Sequence, residues 1–102
     1  MKADELIEGL RKMIEHLDKQ YAIKKKEVDD ADIENKAHLQ GALNIAADNI
    51  FKFKYSVQET LKLNTIDYAM TFSDCAHTSN AIVTEILAIK VVGSPANEGG
   101  NF

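Results

Sequence analysis

Residues 66–92 form a stretch almost free of charge, interrupted only by Asp67, Asp74, Glu85 and Lys90. Between these stand apolar groups at nearly every helical angle, among them Tyr68, Met70, Phe72, Ile82, Val83, Ile86, Leu87 and Ile89. A surface helix carries one apolar stripe, whereas a helix that is apolar on most sides is buried on most sides. Neighbouring helices, or a second copy of the chain, must supply that burial.

The first such neighbour is predicted over residues 3–27. Ile7, Ile14, Tyr21 and Val28 recur every seven residues, Leu10 and Leu17 fall between them, and Leu6 and Met13 widen the stripe. This is coiled-coil spacing, suited to shallow packing against another helix. Lys24 interrupts the seam. Acidic Asp4, Glu5 and Glu8 at the start and Lys24, Lys25 and Lys26 at the end complement the helix dipole. A break is expected within residues 28–32, where Asp29, Asp30 and Asp32 are all suitable N-caps, in preference to one unbroken helix.

The second helix is predicted over residues 33–63. Leu39, Leu43, Ala46, Ile50, Phe53, Val57 and Leu61 are spaced three or four apart, and Ile33, Ala37, Phe51 and Tyr55 form a shoulder to that stripe. Gly41 costs about 1 kcal/mol relative to alanine in a helix interior; it marks either a close helix crossing or nothing. The third helix is predicted over residues 65–92, capped by Asn64 with Asp67 three residues on, and stopped by Gly93 and Pro95. Thr78, Ser79 and Asn80 are weak helix formers that allow a kink. Residues 82–92 are rich in β-branched side chains, but no second strand-like run exists to pair with them, so helix is expected. Residues 94–102 have the composition of a disordered tail.

Short connections make successive helices antiparallel neighbours. The expected fold is therefore all-α: an antiparallel (up-down-up) three-helix bundle with long helices, in one domain of residues 1–93. The apolar surface of the third helix and the wide arc of the second exceed what one bundle hides, so assembly into a homodimer or larger helical oligomer is expected.

Composition narrows the function. A chain of 102 residues with 45% apolar and 27% charged residues suits one globular domain. A net charge of −4 argues against a general nucleic-acid binder. The lone Cys75 cannot form an internal disulfide, which fits a reducing compartment. The amino-terminal residues run straight into an amphipathic pattern, and no uncharged run approaches the roughly 20 residues that span a bilayer. A cytoplasmic protein without membrane contact is expected.

Chemistry is sparsely signalled. In Asp74-Cys75-Ala76-His77, Asp74 and His77 share a helical face at i, i+3, a spacing that offers two ligands to one metal. The plainer expectation is a partly buried histidine bonded to its local aspartate, beside a small apolar cysteine. Glu34 and His38 form a second carboxylate–histidine pair near one end of the second helix, too far along to join the first. Cys75 and His77, two apart, diverge on a helix and make a poor nucleophile–base pair. No glycine-rich phosphate loop, Gly-x-Ser-x-Gly or Cys-x-x-Cys occurs.

The run Lys24-Lys25-Lys26 offers a phosphate or acidic-partner site, but Glu27, Asp29, Asp30 and Asp32 cancel much of its field. Phe51-Lys52-Phe53-Lys54-Tyr55 has the interleaving of a nucleic-acid-binding strand. On a helix it divides instead into a core residue, Phe53, and a partner-binding shoulder, Phe51 and Tyr55. Lys54 lies within the apolar arc, where it snorkels, or pairs with a carboxylate such as Asp74 or with a ligand anion.

The leading expectation is a non-enzymatic protein–protein interaction module (adaptor, chaperone or inhibitor-like) without cofactor, which binds a protein partner and self-associates. Its contacts are expected at Phe51, Tyr55, Tyr68, Phe72, Ile82 and Ile86, with Tyr21 a further candidate. The alternative is a small-ligand or metal-binding bundle, with a site between the second and third helices that involves Asp74, His77 and Lys54.

Overall fold

The computed structural model describes residues 1–91, apart from the side chain of Ile33. Among the described residues the chain forms three α-helices and no strand: α1 (Ala3–Asp29), α2 (Ile33–Leu61) and α3 (Tyr68–Leu87). The expected tail, Gly93 and Pro95 lie outside the described residues.

The helices pack pairwise around two adjoining apolar clusters. In the first, Leu6, Leu10 and Leu17 of α1 meet Ala46, Ile50, Phe53 and Val57 of α2 and Ile82 and Ile86 of α3. The second gathers Val28 and Ala31 with Leu39 and Leu43 of α2, and is closed by Ile89 and Val91 beyond α3. Tyr21 packs against both. The α2 stripe read from spacing is buried from Leu39 to Val57, while Leu61 at its end is exposed.

Along α1 the buried line is Leu6, Leu10, Leu17, Lys24 and Val28. Ile7, expected on the seam, is exposed. Lys24 does not break the seam, because its stem follows the line and its ammonium finds an acceptor. Lys24 Nζ donates to the Ile89 carbonyl at 3.0 Å and lies 3.5 Å from Glu27. At the other end of α1, Gly9 sits against the ring of Phe72, so close that a Cβ there would collide with it. Between these points Lys54 of α2 reaches Asp18 of α1 at 2.9 Å.

The turn between α1 and α2 occupies residues 30–32, with Asp32 as N-cap. Ala31 turns inward there, its amide donating to the Val28 carbonyl at 3.0 Å. The third helix begins later than expected. Asp67 is its N-cap, rather than Asn64, and the Asp67 carboxylate accepts from the Met70 amide at 3.0 Å. The helix runs unbroken through Thr78, Ser79 and Asn80. The hydroxyls turn back onto the helix: Thr78 donates to the Asp74 carbonyl, Ser79 to Ala76 and, further on, Thr84 to Asn80.

Helix α3 ends at Leu87, short of the predicted residue 92. Ile89 and Val91 are buried while Lys90 between them is exposed. β-Branched residues gain little from continuing a helix. Here they leave it and cover the second cluster instead.

Candidate functional site

Burial of one stripe on α2 leaves the opposite side to solvent. Gly41, Ile45, Asp48, Lys52, Tyr55 and Glu59 are all exposed. Ile45 is 61% exposed, Phe51 67% and Tyr55 58%, three large side chains left to solvent around the outward half of α2. Lys52 pairs with Asp48, one turn earlier on this face, at 2.9 Å.

Beside that face, α2 and α3 border an open groove of about 470 Å³. Its floor is Phe53, Cys75 and Ile82; Ser56 and Thr60 rise from α2, and Thr71, Asp74 and Thr78 from α3. A second, mostly apolar recess of about 420 Å³ lies between Ala42 and Ile45 on α2 and Ala88 and Ile89 after α3. Asn49 and Glu85 join the two helices, the Asn49 amide donating to Glu85 at 2.9 Å.

The expected contact residues fall into three groups. Phe51 and Tyr55 are exposed. Tyr68 and Phe72 are half-buried and pack against the first cluster, as does Tyr21. Ile82 and Ile86 are 6% and 0% exposed and belong to the intramolecular core, with Ile82 also at the floor of the groove.

The ligand candidates do not converge. Asp74 is exposed on the rim of the groove, whereas His77 is exposed and outside its lining, not the partly buried residue expected. Lys54 takes Asp18 as its partner rather than Asp74. Among the described residues no three His, Cys, Asp or Glu side chains come together to hold a metal ion. Burial, and secondarily the charge of Asp74, pushes the Cys75 thiol above its ordinary pKa and holds it protonated at neutral pH. Of the lysine run, Lys24 is buried, and Lys25 and Lys26 lie 3.3 and 3.9 Å from Asp29 and Asp30.

Ser56 and Thr60 lie one turn apart on α2 and Thr71 and Thr78 two turns apart on α3, so each helix carries a row of hydroxyls in its own sequence while the facing of the two rows is a property of the fold. Comparison with protein-family models, curated proteins and solved structures returned no match for this chain.

Proposed function

We propose that this chain is a non-enzymatic helical interaction module, adaptor, chaperone or inhibitor-like, that self-associates and engages a protein partner through the outward side of α2. The observation that carries this reading is the exposure of Ile45, Phe51 and Tyr55 in a molecule whose core is closed by other residues. Aromatic side chains on an otherwise charged surface are the usual anchors of interfaces. A protonated Cys75 and the scatter of Asp74, His77 and Lys54 add support, since none of them forms a reactive constellation with another.

The helices run up-down-up in this proposal. Gly9 against Phe72 and Lys24 with Ile89 support α1 and α3 running the same way, and the clustering of Val28 with Leu39 and Leu43 supports an α2 that runs back from the end of α1. No helix among the described residues is long and apolar enough to cross a membrane. With a single cysteine, the cytoplasm is the proposed location.

The test is absolute mass by light scattering over a tenfold concentration range, for the wild type and for Phe51→Glu/Tyr55→Glu. The expected result is an oligomer that the double variant loses while far-UV helicity is kept. A wild-type chain that stays at 11.3 kDa throughout overturns self-association.

The groove between α2 and α3 favours a second reading, a small-ligand site. Its volume of about 470 Å³ is within the range that ligand pockets occupy, and its lining combines hydroxyls with the carboxylate of Asp74 and the ammonium of Lys52. A thermal shift with a polar small molecule that Asp74→Ala removes would favour this reading over the first.

A further inference from the structure

Helix α2 carries two stripes, and only one is used inside the molecule. The core stripe is Leu39, Leu43, Ala46, Ile50, Phe53 and Val57. Opposite it, Gly41, Ile45, Asp48, Lys52 and Tyr55 follow at intervals of four, three, four and three, all exposed. That spacing keeps all five on one line of the helix surface, the line along which a second helix packs. Resting on the self-association proposed above, we infer that the seam's occupant is α2 of a second copy, antiparallel to the first about a two-fold axis beside residue 50.

Charge selects this arrangement. An axis at residue 50 sets Asp48 opposite Lys52 of the partner subunit and, by symmetry, Lys52 opposite the partner's Asp48. The same register faces Ile45 with the partner's Tyr55 and, by symmetry, Tyr55 with the partner's Ile45, so each apolar residue of the seam is covered. A parallel pair in register would instead set Asp48 against Asp48 and Lys52 against Lys52. Within one chain Asp48 and Lys52 already lie 2.9 Å apart, with side chains 58% and 71% exposed, so four charges of alternating sign gather at the axis. Like charges directly opposed disfavour the competing arrangement.

Gly41 stands on the same line, at its open end. Nothing lies within 4 Å of where its Cβ would be, so no contact inside the molecule uses the missing side chain. A glycine within a helix is otherwise a cost, and it serves where another backbone approaches closely. In this register it faces Glu59 of the partner subunit. An isologous contact of this kind closes on itself and yields a dimer rather than a filament.

Because Gly41 meets nothing in its own chain, it allows a clean test. Light scattering of the full chain under reducing conditions, which prevent cross-linking through Cys75, gives the dissociation constant of each variant. Gly41→Glu, which brings a carboxylate against the partner's Glu59, is expected to yield a monomer of 11.3 kDa with helicity undiminished. Asp48→Lys is expected to weaken the dimer about tenfold, two attractive pairs becoming repulsive. Adding Lys52→Asp to it restores the dimer. A dimer indifferent to Gly41→Glu and Asp48→Lys overturns this interface while leaving self-association standing. A wild type that is monomeric at every concentration overturns both.

Discussion

Lys24 Nζ donates a hydrogen bond to the Ile89 carbonyl oxygen at 3.0 Å, tying the last turns of α1 to the segment that follows α3. The acceptor sits where the chain has left the helix, so its carbonyl has no helical donor waiting for it. Lys24→Met keeps the apolar stem and deletes the donor. A hydrogen bond from a charged donor contributes about 1.5–3 kcal/mol, and the methionine recovers part of that by burial, so a net loss of about 1–2 kcal/mol is expected in urea denaturation. Hydrogen exchange should accelerate at residues 89–91 more than in α2. Uniform acceleration across the chain would show that this bond does not specifically hold the segment.

Gly9 and Gly41 are both helical, yet their surroundings predict opposite responses to alanine. At Gly41 the new methyl enters open space, so Gly41→Ala gains about 1 kcal/mol of helix propensity in dilute protein. At Gly9 the methyl meets the Phe72 ring, which must move before the same gain is realised. Gly9→Ala is expected to be neutral or destabilising. In a Phe72→Ala background it should recover the gain, giving a coupling of about 1 kcal/mol in a double-mutant cycle. Additive effects would place Phe72 away from Gly9.

What the sequence discloses and what it conceals can be traced to the reach of each interaction. The stripe Leu39, Leu43, Ala46, Ile50, Phe53 and Val57 is legible because its period is a property of one helix, and all six are buried. Asp67 displaces Asn64 as the cap because both are capping types, and only the path of the chain between α2 and α3 decides between them. Lys24 reads as a break because its acceptor, Ile89, lies 65 residues away. Ile82 and Ile86 resemble their apolar neighbours in a segment with few charges, so periodicity cannot separate core from surface there. Gly9 is inconspicuous because the reason for it is an aromatic ring on another helix. The groove combines hydroxyls of two helices, and neither helix alone discloses it.

The Cys75 thiol yields a pH prediction. Burial, then the charge of Asp74, raises its pKa, so the reactive thiolate forms only at a pH above the ordinary thiol range. The rate of iodoacetamide modification in the folded protein should therefore rise at higher pH than that of a free cysteine. Asp74→Asn removes the smaller cause and moves the profile part of the way down. Unfolding in urea removes the burial, the larger cause, while Asp74 stays next to the thiol in the chain, and moves it further. A folded-state profile matching free cysteine would mean that the thiol is solvated and the floor of the groove more open than its packing indicates.

Ile86 and Phe51 separate folding from association most sharply. Ile86 is wholly buried between α1 and α2, so Ile86→Ala leaves a cavity in a core built by all three helices. Such deletions cost about 2–5 kcal/mol, and the urea midpoint should fall accordingly, with little change in the denaturant slope. Phe51 is 67% exposed, so Phe51→Ala removes surface that folding barely buries. Its expected effect on stability is within about 0.5 kcal/mol. Any larger consequence should appear in mass or partner binding, where an exposed aromatic ring acts once it is covered. If Phe51→Ala instead destabilises as much as Ile86→Ala at a concentration where the chain is monomeric, the ring is packed within the bundle and the outward side of α2 loses its anchor. If Ile86→Ala is tolerated, the first cluster is not the core that holds α3 in place.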